Sequence, residues 1–93
     1  MYKLKCIVMN DLLSFKIKAI AANIRHKREY RNYTQEYLAA KLAISQNAYS
    51  KIELGYTKIT LERLFQIADI LEFDVADLIA IKPAEVLQIA RVG

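Results

Sequence analysis

The sequence predicts an all-α fold on three observations. The chain of 93 residues is 55% hydrophobic yet holds only two glycines and one proline, a composition that favours helices. Apolar residues recur at three- and four-residue intervals from Ile17 to Leu71. Thr34, Ser45 and Thr60 each stand just before such a run, where a side-chain oxygen can satisfy the free N–H groups of a helix start.

At the N-terminus, Tyr2–Val8 alternates partly as a strand, with Leu4 and Cys6 on one side and Lys3 and Lys5 on the other. Met9 offers a second start site, which makes residues 1–8 a dispensable extension. Residues 1–13 are therefore read as an N-terminal extension and residues 14–79 as the domain. In the first helix Ile17, Ile20, Ala21, Ile24 and Arg28 form one continuous stripe. Arg28 thus lies on the apolar face. An unpaired buried charge is too costly there, so it needs an acidic partner. Glu53, on the inner side of a later helix, is the candidate for a structural ion pair. The plain alternative is that Arg28 snorkels to solvent.

The stretch from Thr34 to Gly55 carries the strongest signal. It reads as two short helices joined by a tight turn. Thr34 caps the first, in which Leu38 and Leu42 share a face and the small Ala39 permits a close helix crossing. The pattern breaks at Ala43 and Ile44. Ser45 caps the second, whose inner face holds Tyr49, Ile52 and Glu53, and Gly55 follows as a residue free to take positive φ. From Thr60 a fourth helix is expected to bury Leu61, Leu64, Ile67, Ala68 and Leu71. Phe73, Val75 and Leu78 close the bundle. Residues 80–93 are apolar beyond the needs of such a domain, with a break at Lys82-Pro83 and a sixth short helix beginning at Pro83. They are read as a C-terminal tail and possible dimerisation segment.

The segment Ile20–Leu78 resembles the phage-repressor, Cro-like (XRE-type) helix-turn-helix family. The residues that carry the resemblance are Gln35, Leu38-Ala39, Ser45 and Glu53-Leu54-Gly55, followed by Thr60-Leu61-Glu62, Leu64, Ile67-Ala68 and Leu71, then Asp74-Val75 and Asp77-Leu78. The resemblance implies a compact five-helix, lambda-repressor-like arrangement with short N- and C-terminal extensions. Three residues depart from the family pattern. Ala43 stands where glycine is usual in the turn, Tyr49 replaces an aliphatic residue, and Ile59 stands where many members have proline.

The resemblance also implies double-stranded DNA as partner. The outward face of the third helix would read bases through Gln46, Asn47 and Lys51, with Ser45 and Ser50 in support. Gln and Asn can bond bidentately to adenine, and Lys can donate to guanine. Gln35, at the start of the second helix, and the loop Tyr56-Thr57-Lys58 would touch phosphate. Arg31 and Lys41 would add longer-range attraction. The charge distribution agrees. Residues 1–63 carry net +7 and residues 64–93 net −3, within an overall +4.

Other classes find little support. One histidine (His26) and one cysteine (Cys6) make neither a metal cluster nor a Cys/His pair, and there is no glycine-rich phosphate loop, so no enzyme or cofactor is expected. Helix capping accounts for Asp74 and Asp77. No apolar run is long enough for a membrane span. Without an export signal the cytoplasm is the default. The expected function is a homodimeric, sequence-specific transcriptional regulator, a repressor at a near-palindromic operator. The alternative is a protein-interaction module or antitoxin-type partner that keeps the fold. No small-molecule ligand is evident.

Overall fold

A computed structural model of the chain describes residues 2–81, with side chains from Asp11 onward. It has five helices: α1 (Tyr2–Tyr30), α2 (Gln35–Leu42), α3 (Gln46–Glu53), α4 (Leu61–Leu71) and α5 (Val75–Ile79). No strand occurs among the described residues, and the expected five-helix, all-α fold is what forms.

The N-terminal strand is a correction. Tyr2–Val8 is the start of α1, which runs 29 residues without a break, across the boundary drawn at residue 13. A strand must hand its N–H and C=O groups to a neighbour, whereas a helix satisfies them internally. With no strand to pair with among the described residues, the helix is the conformation that leaves no backbone group unpaired. The sixth helix expected from Pro83 lies outside the described residues.

The helix starts follow from local chemistry. Thr34 Oγ1 accepts from the Tyr37 N–H at 3.0 Å, Ser45 Oγ from Ala48 at 3.1 Å and Thr60 Oγ1 from Arg63 at 3.1 Å. Asp74 occupies the N-cap position of α5 but its side chain makes no capping bond. The helix ends share a left-handed residue, at Asn32, Ala43, Gly55 and Glu72, and only one of these is glycine. At Ala43 the turn closes with Ile44 N–H donating to the Ala39 carbonyl at 3.0 Å. An L-residue with a Cβ is strained there by roughly 1 kcal/mol. Gly55 has a second reason for being glycine. A Cβ on it would stand 3.2 Å from Lys18 Cγ, because α1 passes close over the end of α3.

The core is built from all five helices. Ile24, Leu38, Tyr49, Ile67, Leu71 and Leu78 are completely buried at its centre. Two expected core residues are not in it. Leu61 is 74% exposed: it is the first residue of α4 and lies about 70° round from the middle of the buried face at 100° per residue. Ile17 is 39% exposed, since α1 leaves the rest of the domain at about that level.

Side chains from distant positions fasten the helix ends. Asn23 Nδ2 donates to the Leu78 and Ala80 carbonyls at 2.9 and 2.8 Å, pinning the end of α5 to α1. Arg31 Nε donates to the Leu71 carbonyl at 2.8 Å and its Nη2 to the Glu72 carbonyl at 3.0 Å. Its guanidinium also lies 4.6 Å from the Phe73 ring centre. Arg31 therefore satisfies free carbonyls at the end of α4, where a cation also suits the helix dipole. Arg63 Nη1 reaches the Leu42 carbonyl at 3.3 Å, an equivalent tie across α2 and α4.

Candidate nucleic-acid interface

α2 and α3 pack at the small Ala39, which is buried at their crossing. The register of α3 follows from its inner face. Tyr49, Ile52 and Glu53 are buried, so Ser45, Gln46, Asn47 and Lys51 all come out exposed, with Ser50 half-buried. The N-terminal turn of α3 thus presents two side-chain amides to solvent, and Lys51 projects further along the helix.

The loop after α3 lies alongside. Tyr56 is 75% exposed, and Thr57 and Lys58 are exposed as well. A cleft of about 390 Å³ separates the outer side of α3 from this loop and the start of α4, with Asn47, Lys51, Thr57, Lys58 and Arg63 among its lining residues. The fold therefore gathers three cations and two polar groups on one side of the domain, an arrangement suited to a phosphate backbone. Gln35 sits apart from this cleft, half-buried at the start of α2.

What holds α3 in place is a buried ionic network. Arg28 Nε meets Glu53 Oε2 at 2.6 Å and Nη2 meets Oε1 at 3.1 Å, a two-pronged contact between side chains only 11% and 2% exposed. The third guanidinium nitrogen, Nη1, donates to the Tyr33 carbonyl at 2.8 Å. Gln35 Nε2 donates to Glu53 Oε1 at 3.1 Å. Three segments are tied together: α1, the entry to α2 and the end of α3. Burial by itself pushes the Glu53 carboxyl up, but Arg28, the adjacent Tyr49 hydroxyl and Gln35 outweigh it, holding the group below the usual carboxylate range. Arg28 is raised, chiefly through its hydrogen bond to Glu53. The Tyr49 hydroxyl, fully buried beside the pair, makes no hydrogen bond of acceptable geometry. Its own ionisation is pushed up, first by burial and then by the neighbouring carboxylate.

Asn23 and Arg63 escaped the sequence reading. For Arg63 the one local signal is its place in the first turn of α4, three residues after the Thr60 cap; for Asn23 there is none, since its partners lie 55 and 57 positions away.

A family described as helix-turn-helix matches residues 24–78, more than half of the chain. The chain belongs to the helix-turn-helix family. The XRE-type resemblance read from Gln35, Leu38-Ala39, Ser45 and Glu53–Gly55 falls within the matched segment. As a helix-turn-helix protein it is a DNA-binding regulator in general character. The match begins at Ile24, so most of α1 lies ahead of the helix-turn-helix domain itself. No curated protein and no solved structure matches the chain. No helix among the described residues is long and apolar enough to cross a membrane.

Proposed function

We propose that this helix-turn-helix protein is a sequence-specific transcriptional repressor that lays α3 in the major groove of a near-palindromic operator and blocks polymerase there. The observation that carries the reading is the exposed N-terminal turn of α3, where the Gln46 and Asn47 amides face solvent. Gln46, Asn47 and Lys51 are the proposed base readers, supported by Ser45 and Ser50. Tyr56, Thr57 and Lys58 are proposed phosphate contacts on one flank. Gln35 serves the other flank, where the free N–H groups at the start of α2 assist it. Its bond to Glu53 supports this reading by fixing the amide in one orientation. A cytoplasmic homodimer is the proposed working form, with residues 14–79 as the DNA-binding unit.

The test is selection of bound sequences from a random duplex pool at about 150 mM salt, where non-specific attraction is weakened. A near-palindrome with half-sites one helical turn apart is expected. Absence of enrichment from folded protein would favour the second reading, an interaction module or antitoxin-type partner. That reading draws on exposed apolar side chains, Leu61 and Phe65 among them.

A further inference from the structure

We propose that Lys18 of α1 is a further DNA-phosphate contact, standing ahead of the segment, residues 24–78, that matches the helix-turn-helix family. Such a contact rests on the DNA-binding reading above. It adds a third element to the interface, beside α3 and the loop that follows it.

The placement follows from Gly55. A Cβ built there would stand 3.2 Å from Lys18 Cγ, 3.6 Å from Lys18 Cα and 3.8 Å from Ala21 Cβ. The backbone and the stem of Lys18 therefore lie directly on the residue that follows α3. The next three residues are Tyr56, Thr57 and Lys58, all exposed and all proposed to touch phosphate. Ile17 and Ile20, beside Lys18 on α1, line a groove of about 350 Å³ together with this same loop. Lys18 is itself exposed. Its ammonium rides on a flexible stem rooted against the start of the phosphate-contacting loop.

The charge of Lys18 is uncompensated, unlike its neighbours on α1. Arg25 pairs with Glu29 and Arg28 with Glu53. Lys27 lies 4.7 Å from the centre of the Phe73 ring, and Arg31 is bonded to carbonyls at the end of α4. Lys18 makes no salt bridge among the described residues. The positions one turn away on α1 are Ser14, Phe15, Ala21 and Ala22, and none is acidic. A cation so placed can neutralise a phosphate and release its counterion. Lys16 supplies the contrast. It is exposed on the same helix, but its position turns it about 200° away from Lys18 at 100° per residue. The thickness of the helix, roughly 10 Å, then separates it from the loop by more than the Debye length of about 8 Å at physiological salt.

Fluorescence anisotropy of the full chain on a random-sequence duplex, titrated from about 50 to 200 mM salt, tests the contact. Lys18→Met keeps the stem over Gly55 and removes the charge. It is expected to lower the salt slope by about 0.9. Binding at about 150 mM salt should weaken roughly two- to fivefold, the effect of one exposed ion pair. Lys18→Arg is expected to keep the wild-type slope, and so is Lys16→Met. Thermal midpoints from circular dichroism should match the wild type, which separates a lost contact from a lost fold. Lys18→Gln replaces Lys18→Met should the latter fail to fold. An unchanged slope for Lys18→Met, or an equal drop for Lys16→Met, overturns the proposal. Lys58→Ala on the same duplex checks the DNA reading separately. A slope lowered by Lys58→Ala but not by Lys18→Met would remove Lys18 from the interface and leave that reading standing. A wild type that binds no duplex at any of these salt concentrations would remove the reading, and the contact with it.

Discussion

Arg28 and Glu53 stand 25 positions apart and meet through two side-chain hydrogen bonds, of 2.6 and 3.1 Å. Glu53 is the last residue of α3, where the helix dipole is negative and a carboxylate is disfavoured. Arg28 offsets that cost and in the same contact fixes the end of α3 against α1. The orientation of the proposed reading helix thus depends on a pair that touches no base.

Breaking the pair should therefore be expensive. Arg28→Ala or Glu53→Ala is expected to cost roughly 3–5 kcal/mol, because each leaves a buried charge alone. Urea denaturation measures the loss. The double variant should lose less than the two single losses combined. A cost below about 1 kcal/mol would mark the pair as solvent-screened.

Acid should act through the same carboxylate. Glu53 is held below its ordinary range in the folded state, so the unfolded chain binds its proton first as pH falls. That contribution to stability is complete above the unfolded value of about 4.3. It declines as pH drops toward the depressed folded value, giving a positive slope of stability with pH in that window. Glu53→Gln should start less stable and show a flatter slope from pH 5 downward in pH-dependent denaturation. Equal slopes in the two proteins would place the acid sensitivity elsewhere.

Tyr49 presents the opposite case. Its buried hydroxyl lacks a hydrogen-bond partner, and such a group costs about 1–3 kcal/mol. Tyr49→Phe is expected to raise the thermal midpoint, by the equivalent of about 1 kcal/mol. A fall of similar size would reveal a hydrogen bond to the hydroxyl in solution.

The turn between α2 and α3 can be improved in the same spirit. Ala43 sits at φ 58°, and Ala43→Gly is expected to stabilise by about 0.5–1 kcal/mol after the greater freedom of glycine in the unfolded chain is discounted. Chemical denaturation reads the change, and DNA affinity should not fall with it.

Recognition itself is probed at Gln46 and Lys58. Gln46→Ala should cost about 1–3 kcal/mol on the selected site and little on random duplex. Lys58→Ala should weaken both alike and lower the salt slope by about one. Fluorescence anisotropy titrations at several salt concentrations distinguish the two patterns. Equal losses on both DNAs for Gln46→Ala would move that residue to the backbone.

Much of this was legible in the chain because the governing interactions are local. Thr34, Ser45 and Thr60 bond to N–H groups three residues on, so the caps can be read from a few letters. The inward set of α3 follows from helical spacing, and with it the outward set. By contrast, seven partly alternating residues at Tyr2–Val8 suit a strand or a helix equally well. What decides there is whether a partner strand exists, which no local pattern states.

The sequence by itself determined the capped starts of α2, α3 and α4, the turn between α2 and α3 and the residues α3 turns outward, since period and capping chemistry act within one or two turns. Only the tertiary structure decided that Arg31, Arg63 and Asn23 fasten helix ends, that Leu61 stays in solvent, and that α1 carries its apolar stripe past the domain it helps to build. Those outcomes depend on which carbonyl or surface arrives from 21 to 57 positions away, and that is a property of packing and not of spacing.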